Sequence, residues 1–176
     1  MLTNNYGRFV TILNSSISNG TKVIDKNGAI SSKYANNSSY MNWTRFTTLA
    51  NMKYTDVYNS TNASASVYLA FVLGSGSTSA TSADYFVETP IDETNLTLAS
   101  VSSTYINLGT VNARRNLSAT YTYAGTSALT INEVGLIFKG VEGPYDDSVF
   151  LIAREVLDSP ITVNQGDTFT VSMVIG

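Results

Sequence analysis

The chain has 176 residues, a length that fits one domain with a well-buried core, or one domain and a small extension. Charged residues make up 13% of the chain and the net charge is −3, so it lacks the clustered Lys and Arg that nucleic-acid binding requires. It contains no Cys and no His, which excludes disulfides, Cys-ligated zinc and catalytic triads of the Ser-His-Asp kind. The sequence therefore predicts no cofactor, no bound metal and no nucleic-acid partner.

Membrane and export signals are also missing from the sequence. No apolar stretch reaches the roughly 18 residues that a membrane-spanning helix needs, which predicts no membrane partner. Residues 1–9 lack the basic segment and apolar core that mark a secretory signal. Asn, Ser, Thr and Tyr take the place of much of the usual charge, and such a neutral surface suits contact with other protein.

Residues 1–65 are predicted to form an irregular N-terminal segment with short strands at Arg8–Leu13 and near Val23 and Ile24, and a short helix over Thr44–Lys53. The segment is crowded with Asn, Ser and Thr, which is typical of loops, yet aromatic residues recur through it, which is not typical of disorder. These rings either form a contact surface or close the core of the chain's own domain. We expect an assembly interface that neighbouring subunits order. The predicted interface residues are Tyr34, Tyr40, Trp43, Phe46, Tyr54 and Tyr58.

The rest of the chain, residues 66–176, is predicted to be a β-sandwich core. Ser66–Leu73 is apolar on both faces, which favours a strand in a central position. Residues 95–108 form a further predicted strand, and residues 109–123 form another with alternate side chains on one face. The side chains on that face are Leu117, Ala119, Tyr121 and Tyr123.

The last third of the chain contains three runs rich in Val, Ile and Phe, at Leu129–Lys139, Ser148–Leu157 and Thr168–Ile175. The second run is apolar on both faces, which predicts another central strand, and a short turn through Asp158–Pro160 follows it. The third run has the period of two of a half-buried strand. Its predicted inner side chains are Phe169, Val171, Met173 and Ile175. Roughly seven to nine short strands predict an all-β, antiparallel β-sandwich of the jelly-roll or immunoglobulin-like kind.

Four residues are predicted to have structural roles in turns or strands. Gly74 and Gly76 resemble the beginning of a phosphate-binding loop, but neither a third Gly at the right spacing nor a Lys-Ser/Thr pair follows. The sequence favours a structural turn in which these glycines adopt positive φ, and Asp84 belongs to the same region. Gly135 interrupts a strand, where glycine costs stability, and is predicted to be a packing glycine that a neighbouring backbone or ring approaches closely.

Two glutamates within predicted strands, Glu133 and Glu155, have two interpretations. Paired carboxylates are the acid and the base of a glycoside hydrolase. Alternatively, Glu155 pairs with Arg154 or with a neighbouring strand, and Glu133 accepts backbone N–H bonds near Gly135. We favour the second interpretation because no substrate-cleft signature accompanies the pair, and we predict that the chain is not an enzyme.

Three segments of the sandwich region carry distinctive turn and strand motifs, namely Leu73–Tyr85 with Glu88–Ile91, Ile131–Leu136, and Leu151–Val163 with the Gly166–Asp167 turn. In this order they resemble motifs of virion structural proteins of tailed bacteriophages. The resemblance covers roughly residues 66–176 and implies a non-catalytic β-sandwich subunit of a collar, tail, head fibre or capsid decoration. It also implies a homo-oligomer in a symmetric assembly, other virion proteins as partners, and a virion location after synthesis in the bacterial host cytoplasm.

A second hypothesis is a carbohydrate-binding β-sandwich adhesin. In that case Trp43 and the tyrosines of the N-terminal segment stack on glycan. Composition independently supports the structural hypothesis, because low charge, many strands and an aromatic polar extension all suit protein–protein contact.

Overall fold

A computed structural model of the chain describes residues 23–24, 26–28, 30–31, 53–54, 56, 68–106, 114–139 and 149–175. The eight elements with bounds within these residues are β-strands, which confirms the all-β prediction, and Tyr54 and Asp56 have helical conformation. The strands are β1 (Val23–Ile24), β2 (Ile30–Ser31), β3 (Tyr68–Gly74), β4 (Leu96–Ile106), β5 (Arg114–Tyr123), β6 (Leu129–Lys139), β7 (Val149–Val163) and β8 (Thr168–Ile175).

The six longer strands form two antiparallel three-stranded sheets. Sheet 1 has the strand order β3-β6-β7, sheet 2 has the order β4-β5-β8, and β1 pairs with β2 in a separate ribbon. The chain changes sheet from β3 to β4, from β5 to β6 and from β7 to β8. The inner faces of the two sheets share one hydrophobic core, which is the arrangement of the predicted β-sandwich.

The core between the sheets is built from alternate side chains. In β5 and β8 almost every second side chain is buried, and those between are exposed or half-buried, because successive side chains of a strand point to opposite faces. The predicted inner faces of both strands are thereby confirmed. Their buried members are Leu117, Ala119, Tyr121, Tyr123, Val171, Met173 and Ile175, and half-buried Phe169 stacks on Tyr121 with ring centroids 5.5 Å apart.

Sheet 1 is covered on its outer face as well. A second buried cluster, which we call the outer core, consists of Tyr54, Ala70, Val72, Val87, Ile137, Val149 and Leu151. The turn after β1 also joins this sheet, because the Lys26 N–H donates to the Val149 carbonyl at 2.9 Å. The Lys53 amine donates to the Glu93 carbonyl at 2.9 Å. Parts of the N-terminal segment therefore pack on the chain's own sandwich.

Tyr54 is a predicted interface residue that the structure describes. It is 8% exposed, and its ring centroid lies 5.6 Å from that of Phe86. Its ring thus belongs to the outer core of its own chain and is not available to a neighbouring subunit. The sequence had left this open as the alternative to a contact surface. The other predicted interface residues, Tyr34, Tyr40, Trp43, Phe46 and Tyr58, lie outside the described residues.

Two strands and one helix were also predicted for the N-terminal segment, and the structure describes only one of the strands. Val23 and Ile24 form β1, as predicted. The predicted strand at Arg8–Leu13 lies outside the described residues, and so does the predicted helix at Thr44–Lys53 apart from its last residue.

The prediction that β3 and β7 are central strands is wrong among the described strands. In sheet 1, β6 lies between them, and in sheet 2 the central strand is β5. Apolar residues on both faces indicate that both faces of a strand are covered, and they carry no information about its edges. Both faces of β3 and of β7 are covered, because the sandwich core lies on one face of sheet 1 and the outer core lies on the other.

The predicted turn at Asp158–Pro160 does not exist, because β7 continues through it. Between Ile131 and Glu133 the pairing of β6 with β7 shifts register, and the four residues Leu157–Pro160 stand opposite the single residue Asn132. A proline cannot donate to a ladder and is tolerated in such a bulge. The turn-forming residues therefore mark a bulge within one strand.

We expect Tyr54→Leu to lower the free energy of unfolding by about 1 kcal/mol. Leucine keeps apolar contact with the outer core but loses the contact between the Tyr54 and Phe86 rings, and such pairs contribute roughly 0.5–1.5 kcal/mol. Urea denaturation of both proteins measures the change. Equal midpoints would show that the ring contributes nothing to its own domain.

Candidate functional site

A loop of residues 75–90, which we call the β3 loop, folds over the outer face of sheet 1. The Ser75 N–H donates to the Thr89 carbonyl at 2.8 Å and closes the base of the loop. Beneath it lies Glu133, which projects from the central strand β6 and is 0% exposed. The loop thus covers a carboxylate that is completely removed from solvent.

The Glu133 carboxylate accepts four hydrogen bonds, two on each oxygen. Oε1 accepts the backbone N–H groups of Gly76 at 3.1 Å and Thr89 at 3.0 Å. Oε2 accepts the backbone N–H of Glu88 at 3.2 Å and Nε of Arg154 at 2.7 Å. A buried charge is stable only when it is paired and hydrogen-bonded, and Glu133 meets both requirements. In return it satisfies three backbone donors of the β3 loop.

Arg154 of β7 connects this carboxylate to the rest of the loop and is 3% exposed. Its Nη1 donates to Asp84 Oδ2 at 2.8 Å, and its Nη2 donates to the Thr78 carbonyl at 3.0 Å. A carboxylate oxygen of Glu88 lies 3.9 Å from the same Nη2. We call Glu133, Arg154 and Asp84 the loop network, because together they fasten the β3 loop to sheet 1.

The β3 loop is also ordered by two pairs of side chains within it. The Thr78 N–H and hydroxyl both donate to the Glu88 carboxylate, at 2.9 and 2.7 Å. In the same way, the Thr81 N–H and hydroxyl donate to the Asp84 carboxylate at 3.0 and 2.7 Å. Such local side-chain bonds to the backbone are typical of turns.

Burial and hydrogen bonds shift the pKa values of Asp84, Arg154 and Glu88. Partial burial alone raises the pKa of Asp84, but bonds from Thr81 and the Arg154 guanidinium outweigh burial and hold that pKa below its usual range. Burial alone lowers the pKa of Arg154, and the Asp84 and Glu133 carboxylates raise it overall. Hydrogen bonds from Thr78 hold the pKa of Glu88 below its usual range. The ionised forms of these side chains are therefore the ones that the fold stabilises.

We expect the stability of the protein to fall as the pH drops below about 4. The pKa of Asp84 is lower in the folded chain than its ordinary value of 3.8, so the unfolded chain binds more protons in that range. The stability from Asp84 is fully present above its ordinary pKa and is lost as the pH falls toward the depressed value. Urea unfolding at about pH 5 and about pH 3 should show a smaller loss for Asp84→Asn than for the wild type. An equal loss in both proteins would contradict this assignment.

The prediction that Gly74 and Gly76 have positive φ is wrong. Among the described residues the glycines with positive φ are Gly28 and Gly166. A Cβ at Gly74 would overlap Oε1 of Glu133, and a Cβ at Gly76 would lie 2.6 Å from the same atom. Glycine is required at both positions because any side chain would displace the buried carboxylate.

Gly135 lies in β6, two residues beyond Glu133 on the same face. A Cβ there would lie 2.7 Å from Cγ1 of Val72, 2.8 Å from Cγ1 of Val87 and 3.1 Å from Cδ1 of Leu151. The close neighbours are aliphatic side chains of the outer core, whereas the sequence predicted a backbone or a ring. The absence of a side chain lets the β3 loop approach sheet 1.

Glu133 and Glu155 have different environments. Glu133 accepts backbone N–H bonds as predicted, although the donors belong to the β3 loop and do not lie near Gly135. The predicted pairing of Glu155 with Arg154 is wrong, because neighbouring residues of a strand point to opposite faces and Glu155 is exposed where Arg154 is buried. The glycosidase hypothesis would need a carboxyl group that water and substrate can reach, and Glu133 is not such a group.

Neither a metal site nor a membrane-spanning helix is present in the part of the chain that the structure describes. No three His, Cys, Asp or Glu side chains there are grouped so that they could hold a metal ion. That part of the chain also contains no helix that is long and apolar enough to cross a membrane. The acidic side chains around Arg154 balance its charge instead.

Arg154 is the member of the loop network that the sequence pattern did not single out. A signal for it exists, because Arg154 directly follows the buried run Val149–Ala153. An arginine that continues a fully buried strand needs a partner charge nearby. That partner could have been sought among the acidic residues of other predicted strands.

Comparison with known protein families, curated proteins and solved structures finds no match for the chain.

Proposed function

We propose that the chain is a non-enzymatic structural subunit of a bacteriophage particle, of the collar, tail, head-fibre or capsid-decoration type. Its partners are other virion proteins and copies of itself in a symmetric assembly. Its location is the virion, after synthesis in the bacterial host cytoplasm. The proposal begins from the resemblance of segments within residues 66–176 to phage structural proteins.

The observation that carries this proposal is the convergence of those segments on the loop network. The first segment supplies Asp84, the second supplies Glu133 and the third supplies Arg154. Both oxygens of the buried glutamate are occupied by donors, so these residues fasten a loop and are not aimed at a substrate. Residues used in this way support a structural subunit over an enzyme.

The outer face of sheet 2 gives independent support. Hydroxyl side chains form cross-strand pairs there, with the hydroxyl oxygens of Thr120 and Thr170 2.9 Å apart and those of Thr122 and Thr168 3.2 Å apart. Such pairs stabilise neighbouring strands. The hydroxyl-rich part of this face, which excludes Arg114 at its end, can also meet another protein without the cost of desolvating charges.

The composition of purified particles tests the proposal. We expect the chain to co-sediment with phage particles in a density gradient, at a fixed copy number by quantitative mass spectrometry, while abundant host proteins are depleted. Its absence from particles would contradict the proposal. Strong binding on a glycan array that is lost in Trp43→Ala would favour the carbohydrate-binding adhesin instead.

A further inference from the structure

A cleft of about 460 Å³ lies beside the β3 loop, and we call it the loop cleft. Its lining includes Tyr85, Pro90 and the charged side chains of Lys26, Asp84 and Glu88. Lys26 belongs to the turn between β1 and β2, so the cleft lies where this turn meets the β3 loop. Small-molecule sites have volumes of roughly 300–1,000 Å³ and combine apolar surface with a few fixed polar groups. The size and the lining of the loop cleft fit such a site.

Tyr85 gives the loop cleft a partly exposed aromatic ring. The residue is 46% exposed. Gly28 of the β1–β2 turn packs against the ring, since a Cβ at Gly28 would lie 3.5 Å from Cζ and 3.6 and 3.7 Å from the two Cε atoms. The ring is therefore supported by the turn while nearly half of the residue remains open to solvent. A supported tyrosine ring offers contact area to a ligand at a low cost in conformational entropy.

Glu88 gives the loop cleft an oriented hydrogen-bond acceptor. Its side chain is 43% exposed, and the Thr78 N–H and hydroxyl donate to its carboxylate at 2.9 and 2.7 Å. A carboxylate has about four acceptor positions, so Glu88 can also accept hydrogen bonds from a ligand. Its pKa lies below the usual range because of the bonds from Thr78, so the carboxylate is ionised at neutral pH and accepts strong hydrogen bonds.

The charges of the lining restrict the class of ligand that fits. Two carboxylates, those of Asp84 and Glu88, line the cleft together with two cations, Lys26 and Arg154. An anionic ligand would meet the carboxylates and a cationic ligand would meet the cations, and such contacts between like charges oppose binding. A neutral ligand with hydroxyl groups can instead donate to a carboxylate and accept from an amine.

We propose that the loop cleft binds a neutral sugar. The C–H groups on one face of a sugar ring pack on the Tyr85 ring, and the sugar hydroxyls donate to Glu88. The loop network supports this site, because it fastens the loop that carries both residues and so holds them in place for binding. The inference goes beyond the proposed function, since a structural subunit needs no ligand. The site is also distinct from Trp43 and the tyrosines of the N-terminal segment.

NMR titration of the full chain with glucose, galactose, mannose or N-acetylglucosamine tests this proposal. We expect at least one of these sugars to shift the amide signals of Tyr85 and Glu88 with a Kd of about 1–10 mM, because a single sugar ring has few atoms to contribute affinity. Tyr85→Ala should weaken this binding at least about tenfold. Tyr85→Phe retains the aromatic ring and should bind about as tightly as the wild type.

Tyr105→Ala is the matched control, because it removes a tyrosine that is 55% exposed outside the loop cleft and should bind sugar like the wild type. No saturable shift with any of these sugars up to about 50 mM would overturn the proposal. Binding that persists in Tyr85→Ala, or that is lost in Trp43→Ala instead, would also overturn it.

Particle composition is measured separately from sugar binding. A chain that binds sugar through Tyr85 but is absent from particles would overturn only the proposed function. A chain that is present in particles but binds none of these sugars would overturn only the assignment of the loop cleft.

Discussion

Glu133→Gln is expected to destabilise the protein by roughly 3–5 kcal/mol, the range for removing one partner of a buried ion pair. The amide retains the shape of the side chain but removes the charge that Arg154 faces at 2.7 Å. It also presents an NH₂ group where a carboxylate oxygen accepts two N–H bonds, so at least one backbone donor of the β3 loop loses its acceptor. Chemical denaturation followed by tryptophan fluorescence or circular dichroism measures the effect.

Glu155→Gln is the matched control for this prediction. It makes the same chemical change on an exposed side chain of β7 and should alter stability by less than about 0.5 kcal/mol. Hydrogen exchange adds a local test, because the amides of Gly76, Glu88 and Thr89 should exchange faster in Glu133→Gln than in Glu155→Gln. Similar stability of the two variants would show that Glu133 does not hold the loop.

Gly135→Val is expected to destabilise the protein by about 3 kcal/mol through overpacking. Its Cβ alone would approach methyl groups of Val72 and Val87 to 2.7 and 2.8 Å, closer than real Cβ atoms come, and valine adds two more carbons. Replacing glycine also restricts the unfolded chain, which offsets the loss by only about 0.4–1 kcal/mol. The thermal midpoint should fall by several degrees.

Two further variants make this prediction specific. Ser172→Val introduces the same β-branched side chain on an exposed face of β8 and should leave the midpoint almost unchanged. Val72→Ala removes one of the two close methyl groups, so the double variant Gly135→Val/Val72→Ala should lose less than the sum of the two single losses. Strictly additive losses would mean that crowding against Val72 is not the cause.

Strand positions and inner faces could be predicted because they depend on local patterns. The alternation of Val171, Met173 and Ile175 with polar residues determines which face of β8 is buried, without knowledge of its neighbours. The order of strands in a sheet is not local in this sense. Runs that are apolar on both faces indicated covered strands correctly for β3 and β7, but they could not reveal that β6 lies between them.

The loop network depends on contacts between distant parts of the chain. Gly76 and Glu133 are 57 residues apart, and Glu133 and Arg154 are 21 residues apart. Their meeting follows from the register between β6 and β7, which includes a bulge that the sequence indicated only as a turn. Gly74 and Gly76 led to the prediction of a backbone with positive φ. Glycine is needed at these two positions for another reason, because the Glu133 carboxylate of β6 occupies the space that a side chain would fill.

A double-mutant cycle between Glu133 and Arg154 tests most directly whether the residues of the three motif segments act together to build the fold. The variants are Glu133→Gln, Arg154→Met and the double variant, and the measured quantity is the free energy of unfolding. We expect each single variant to be strongly destabilised and the double variant to lose about 1–3 kcal/mol less than the sum, because the pair is buried and in direct contact. Additive losses, with a coupling near zero, would contradict the structural role proposed for this pair.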